Sequence, residues 1–278
     1  MHGLLRFVPK NHFSHFTGLL AHTRLPRPLV ATLIRRFVRA YGVNLEEAAH
    51  PVDDYRSLGE FFTRDLIPGA RPIEGPFVSP VDGRLREWGR VAGGRIPQVK
   101  GKTYGLAEFL GGDDVASTFD GGHFFNFYLS PRDYHHIHAP VRGQVARSIH
   151  VPGRLWPVND WSLASIDDLF AVNERVVTIL KSRYGVVAIV MIGATNVGKM
   201  TVTYDSFVTN VPPRSREVRR RDYPSPVVLA AGDRLGTFHM GSSVVVLVRK
   251  GVLRDEEVLV ASPCDVRMGQ RLASTPED

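Results

Sequence analysis

The apolar positions of this chain change period along its length. Near the N-terminus, Leu29, Val30, Leu33, Ile34, Phe37, Val38 and Tyr41 recur at helical spacing after Pro28, which predicts a helix that stops at Gly42. Arg35, Arg36 and Arg39 lie off that stripe, so the helix is basic as well as amphipathic. Leu45 to Ala48 predicts a short helix. Ser57 to Arg64 predicts another helix, with Ser57 and Glu60 spaced as a capping box. Pro68, Gly69 and Pro72 then bar any helix. Beyond Pro76 the texture is β: runs at 124–129, 176–180, 186–192, 201–204 and 244–248 are rich in β-branched and aromatic residues and predict strands.

Two stretches share a pattern of small residue, Pro, Val, any residue, Gly, any residue, aliphatic: Ser79-Pro80-Val81-Asp82-Gly83-Arg84-Leu85 and Ala139-Pro140-Val141-Arg142-Gly143-Gln144-Val145. Weaker echoes lie at 231–236 and 266–272. A proline-entered turn that feeds a strand recurs in barrel-sandwich or hybrid β folds. The expected class is therefore α+β, a compact β-rich core carrying basic amphipathic helices at its N-terminus, rather than a doubly wound sheet.

Charge divides the chain. The net charge is +7 over 278 residues, and Arg6, Lys10, Arg24, Arg27, Arg35, Arg36 and Arg39 all precede the first acid, Glu46. We therefore expect residues 1–45 to form a docking segment and residues 46–278 a catalytic β-rich domain. A basic arm suits an anionic surface; with no nucleic-acid-binding motif beside it, a membrane surface is favoured over nucleic acid. A plain surface helix docked on the core is the alternative. The cluster Arg214, Arg216, Arg219, Arg220 and Arg221 reads as an exposed loop, either a solvated basic face or a second lipid contact. The single cysteine, Cys264, excludes an intrachain disulfide framework. No apolar run approaches the roughly 20 residues of a spanning helix, and no secretory signal is expected.

Three motifs compete for the chemistry. Gly193 to Met200 nearly spells a phosphate-binding loop, but Met200 stands where a hydroxyl belongs and strand texture follows, so nucleotide binding is set aside. Tyr134-His135-His136-Ile137-His138 is the densest imidazole cluster. Strand alternation would place His136 and His138 on one face as a metal pair, yet no further ligand is evident, and a structural cluster competes; no metal is assigned. Met240-Gly241-Ser242-Ser243 precedes the buried run at 244–248. Read alone it is a turn; read as a site, Ser242 is a hydroxyl at the mouth of a rigid strand.

Taken together, Val81-Asp82-Gly83, Tyr134-His135-x-x-His138-x-Pro140 and Gly241-Ser242 ahead of an apolar strand resemble the bacterial, pyruvoyl-dependent phosphatidylserine decarboxylases. The resemblance extends from Arg39 to Ala48 through Phe61-Phe62-Thr63-Arg64 to Met268-Gly269-Gln270. Two departures stand out: Ser243 replaces a threonine common in the family, and Ala231 replaces a lysine. The resemblance implies a zymogen that cuts itself between Gly241 and Ser242, giving a β chain of residues 1–241 and an α chain of residues 242–278. Residue 242 becomes a covalent pyruvoyl cofactor. It implies Ser242 as nucleophile, His138 as its base, Asp82 as the carboxylate orienting that base, and His135 on the substrate side. The implied reaction is that of a carboxy-lyase in phospholipid biosynthesis. Phosphatidylserine is converted through a Schiff base to phosphatidylethanolamine and carbon dioxide at the cytoplasmic face of the cell membrane, by a peripheral protein. A homo-oligomer is left open. The rival readings are a membrane-associated serine hydrolase using Asp82, His138 and Ser242, and a non-catalytic lipid-binding protein.

Overall fold

A computed structural model describes residues 23, 25–98, 102–158, 160–195, 199–210, 216–239 and 243–274. Met240, Gly241 and Ser242 lie outside the described residues, as do Arg6, Lys10, Arg24 and Arg214.

Helix α1 (Arg27–Tyr41) ends as its sequence predicts: Gly42 takes φ 68° and its N–H returns to the Val38 carbonyl at 2.8 Å. Its apolar stripe divides. Val30, Ala31 and Ile34 are buried, and Val30 and Ile34 share a small cluster with Val43, Tyr55 and Phe61. Leu29 and Leu33 face outward at 55% and 42% exposure. Helix α2 (Leu58–Phe62) opens on Ser57, whose hydroxyl accepts the Glu60 N–H at 3.0 Å. The Glu60 carboxylate returns to the Arg56 N–H at 2.6 Å, one residue earlier than a capping box would place it. The short helix expected at 45–48 is limited to a single turn, closed by the Ala48 N–H on the Leu45 carbonyl at 3.1 Å, and Ala48 also bridges to Leu66, a tertiary contact that outweighs four residues of weak propensity.

The strands are β1 (Phe77–Val78), β2 (Gly83–Arg90), β3 (Arg95–Gln98), β4 (Lys102–Gly105), β5 (His123–Tyr128), β6 (His136–His138), β7 (Gly143–Val151), β8 (Arg175–Ser182), β9 (Gly185–Ile192), β10 (Met200–Val202), β11 (Arg219–Leu229), β12 (Arg234–Phe238), β13 (Ser243–Val248), β14 (Cys264–Val266) and β15 (Arg271–Ala273). Among the described residues, eight of them form one antiparallel sheet in the order β11-β7-β8-β9-β13-β5-β2-β14. The chain is thus α+β with a β-rich core, as expected, but the sheet is open at β11 and β14 and closes no barrel. A smaller sheet runs β10-β12-β6.

Strand β13 lies inside the large sheet, paired with β5 on one side and β9 on the other. Its five apolar residues, Val244 to Val248, are each 0% exposed. Burying such side chains is worth roughly 1.5–3 kcal/mol apiece, so the head of this strand is a fixed point. Strand β12, which ends at Phe238, belongs to the small sheet, and β13, which begins at Ser243, to the large one.

One expectation needs correcting. Arg219, Arg220 and Arg221 do not sit in a loop but open edge strand β11, opposite His150, Ile149 and Ser148. Pro224 and Pro226 fall where its register shifts, and they remove N–H groups that a further strand could use. Arg220 pairs with Asp113 and Arg221 with Asp205, so part of the cluster is neutralised within the fold.

Candidate active site

The site is assembled where the two sheets meet. Strand β6 carries the histidines and pairs with β12, which places His136 opposite Thr237 and His138 opposite Arg234. The Phe238 N–H donates to the His135 carbonyl at 3.1 Å, and the His239 N–H to the Lys199 carbonyl at 3.0 Å. Both flanks of residues 240–242 are therefore held, His239 on one side and Ser243 in β13 on the other.

The three imidazoles have tautomers dictated by their partners, because a carbonyl can only accept. His138 donates from Nδ1 to the Gly232 carbonyl at 2.7 Å, which leaves Nε2 as the basic nitrogen, 3.3 Å from the Tyr134 hydroxyl. His136 donates from Nε2 to the Thr63 carbonyl at 3.0 Å and accepts at Nδ1 from the Thr237 hydroxyl at 2.7 Å. His135 donates from Nδ1 to the Asp133 carbonyl at 2.7 Å, and its Nε2 is buried without a partner. The Tyr134 ring lies against both His136 and His138, as alternation along a strand predicts. His135 packs instead on Phe62, with ring centroids 4.0 Å apart.

Burial is the main cause of depressed basicity in all three: His138 and His136 fall to about 4 and His135 to about 3. Each ring is neutral at pH 7 and can accept a proton. The folded values lie below the unfolded value of 6.5, so the unfolded chain binds more protons between them. The histidines' contribution to stability is complete above pH 6.5 and is lost as pH falls toward 4. Each contributes a slope of up to about 1.4 kcal/mol per pH unit in that window. Denaturant unfolding between pH 7 and pH 4.5 should show stability falling with acid, and His136→Gln should flatten the slope. A flat profile would contradict neutral burial.

Asp82 has a different setting from the one the sequence suggests. Arg71 grips it with two bonds, Nε to Oδ1 at 2.8 Å and Nη2 to Oδ2 at 2.5 Å, and the Met268 N–H adds a third at 2.8 Å. Asp82 is not hydrogen-bonded to His138; the Gly232 carbonyl orients that ring. Asp82 still acts on His138 through space, favouring the protonated form against the larger effect of burial. Gly83 sits beside it at φ 151°, where a Cβ would lie 2.4 Å from the Tyr128 carbonyl oxygen, so only glycine serves in the Asp82-Gly83 pair. Gly232 has φ 84°, and a Cβ there would meet Ile73 at 2.2 Å. Sequence reasoning assigned no role to Arg71, Glu47, Gly232 or Tyr134. The available signals were the place of Tyr134 at the head of the histidine motif and that of Gly232, in the weak repeat and next to the Ala231 departure.

Buried neutral bases, a clamped carboxylate and a buried strand that follows Gly241-Ser242 in the sequence define the class as an enzyme equipped for nucleophilic or proton-transfer chemistry. The family model described as phosphatidylserine decarboxylase matches residues 58–274. Similar curated proteins include a phosphatidylserine decarboxylase proenzyme of Anaeromyxobacter sp. (strain K), 44% identical, with 96% of this chain and 95% of the relative covered. Those of Acidovorax ebreus (strain TPSY) and Myxococcus xanthus (strain DK1622) are 42% and 39% identical, covering 96% and 97% of this chain and 94% and 96% of theirs. The chain belongs to the phosphatidylserine decarboxylase family.

Proposed function

We infer that this protein is a phosphatidylserine decarboxylase made as a proenzyme, which cleaves itself between Gly241 and Ser242. The observation that carries the reading is His138: a neutral imidazole with Nε2 as its basic nitrogen, on the strand paired with β12, the last strand before Gly241-Ser242 in the sequence. In this reading Nε2 takes the Ser242 hydroxyl proton, the Gly232 carbonyl holds the ring, and Asp82 stabilises the imidazolium by charge. Attack on the Gly241 carbonyl breaks its amide bond to Ser242 and gives an ester; β-elimination then releases the Gly241 carboxylate and separates the chains, and hydrolysis of the imine left at residue 242 expels its nitrogen as ammonia. The pyruvoyl group left at residue 242 would supply the electron sink that decarboxylation requires. The neighbouring residues fit it: it would head buried strand β13, and His135 offers a bare, buried Nε2 suited to handling a proton on the substrate.

The α chain would carry β13, β14 and β15, which pair with β5, β9, β2 and β1 of the β chain. The two chains would therefore stay together after cleavage. Release of carbon dioxide from phosphatidylserine vesicles is the direct assay. Hydroxylamine, or borohydride added with substrate, should abolish it; full activity after either treatment would sink the pyruvoyl reading.

The protein would work as a peripheral protein at the cytoplasmic face of the cell membrane. Among the described residues no helix is long and apolar enough to cross a membrane. Leu25, Leu29 and Leu33 form an outward apolar row, exposed at 41%, 55% and 42%, with exposed Arg36 one turn beyond Leu33. Leucines that enter the interface add apolar burial to the roughly 1 kcal/mol that each basic residue gains near anionic lipid. The variant Leu29→Glu/Leu33→Glu should bind anionic vesicles at least about tenfold less tightly. It should still turn over a soluble short-chain substrate. Unchanged co-sedimentation would remove α1 from docking.

A further inference from the structure

Beside Asp82 lies a cleft of about 500 Å³ lined by Glu47, Arg64, Arg71, Arg132, Asp133 and Tyr134, among others. Most of its cations are already matched. Arg71 is saturated by Asp82, Glu47 and the Ala70 carbonyl. Arg267 reaches Glu47 at 3.2 Å, and Arg132 stands 3.7 Å from Asp133 and 3.9 Å from Asp265.

Arg64 is the exception. It is 4% exposed, it donates from Nη2 to the Arg132 carbonyl at 2.8 Å, and its Nε and Nη1 have no hydrogen-bond partner among the described residues. No carboxylate of the described residues forms an ion pair with it, although Asp82 and Asp133 favour its charge through space. The Phe61 ring lies 5.1 Å from the guanidinium carbon. A buried cation with unused N–H groups is costly, and sites that keep such a group need a reason beyond packing. His135 Nε2, also without a hydrogen-bond partner among the described residues, is an electrostatic neighbour of Arg64. The nearby acids are compensated: Asp82 by Arg71, and Asp133 by the Ser130 N–H at 2.6 Å, with burial raising the Asp133 carboxyl above its usual range.

We propose that Arg64, on the wall of the cleft beside Asp82, receives the anionic oxygens of the substrate headgroup through its guanidinium. This rests on the decarboxylase reading. The chemistry suits an oxyanion with at least two acceptor oxygens, which the headgroup offers twice, as its carboxylate and as its phosphodiester.

Steady-state kinetics on phosphatidylserine micelles with the mature enzyme provide the first test. Arg64→Gln should raise KM by about tenfold or more with kcat within about threefold, and Arg64→Lys should recover part of the loss. Titration calorimetry then separates the two anions. Glycerophosphocholine carries the phosphodiester without a carboxylate, and N-acetyl-L-serine carries the carboxylate without phosphate. Whichever probe loses about tenfold in affinity in Arg64→Gln identifies the anchored group. If Arg64→Gln fails to fold, Arg64→Lys at unchanged melting temperature carries both measurements. An unchanged KM together with unchanged affinity for both probes overturns the proposal. Wild-type protein that binds one probe through Arg64 yet releases no carbon dioxide would instead sink the decarboxylase reading and leave the anion site standing.

Discussion

The Ser242→Ala protein is expected to remain a single chain of 278 residues and to release no carbon dioxide, and the wild type is expected to separate into residues 1–241 and 242–278. Loss of the nucleophile should lower decarboxylation by at least about 10⁴-fold, because no other group can provide the carbonyl that the reaction needs. Ser243 cannot stand in for its neighbour. It is 0% exposed and fixed in register between Tyr128 and Ile192 within the sheet, so its hydroxyl lacks the freedom to attack the preceding carbonyl. Ser243→Ala should therefore still be cleaved. Intact-mass spectrometry of the two variants decides the matter, and a split Ser242→Ala chain would refute the assignment.

Arg71→Leu should give the largest loss of stability. The substitution strips the partner from Asp82 and Glu47, whose side chains are only 12% and 22% exposed. Breaking a buried pair typically costs 3–5 kcal/mol, and we expect about 3 here because both acids keep a face on the cleft. Arg71 also ties together three distant segments: the loop after α1 through Glu47, the Asp82 turn, and the C-terminal stretch that supplies the Met268 N–H. Its loss should accordingly slow self-cleavage as well. The pH dependence has a definite sign. The hydrogen bond from Arg71 holds Glu47 below its usual range, so that stabilisation is present above the unfolded carboxylate value and is lost as pH falls through the folded one. The deficit of Arg71→Leu should therefore shrink below about pH 4. Urea unfolding at pH 7 and at about pH 3 measures it; an equal deficit at both would show that shape, not charge, is what Arg71 provides.

Local pattern carried much of the fold. Strands β5, β8, β9 and β13 fall within a residue or two of their predicted bounds, because β-branched runs have few alternatives once buried. Gly42 ends α1 because glycine alone takes a left-handed turn without strain. The misses share a cause. The stretch at 45–48 and the arginines at 219–221 were assigned from short-range propensity and charge, and long-range pairing with Leu66 and with β7 overrode both.

By itself the sequence determined that this is a β-rich α+β chain with a basic amphipathic helix, and which serine, histidines and aspartate to single out. Those features are written in neighbours along the chain, through periodicity, turn residues and short motifs. Only the tertiary structure decided what those residues touch. His138 finds its carbonyl 94 residues away at Gly232, Asp82 finds an N–H 186 residues away at Met268, and Arg64 meets the Arg132 carbonyl 68 residues on. Hydrogen-bond partners at such separations depend on how sheets and loops close in space, and no local spacing in the chain encodes them.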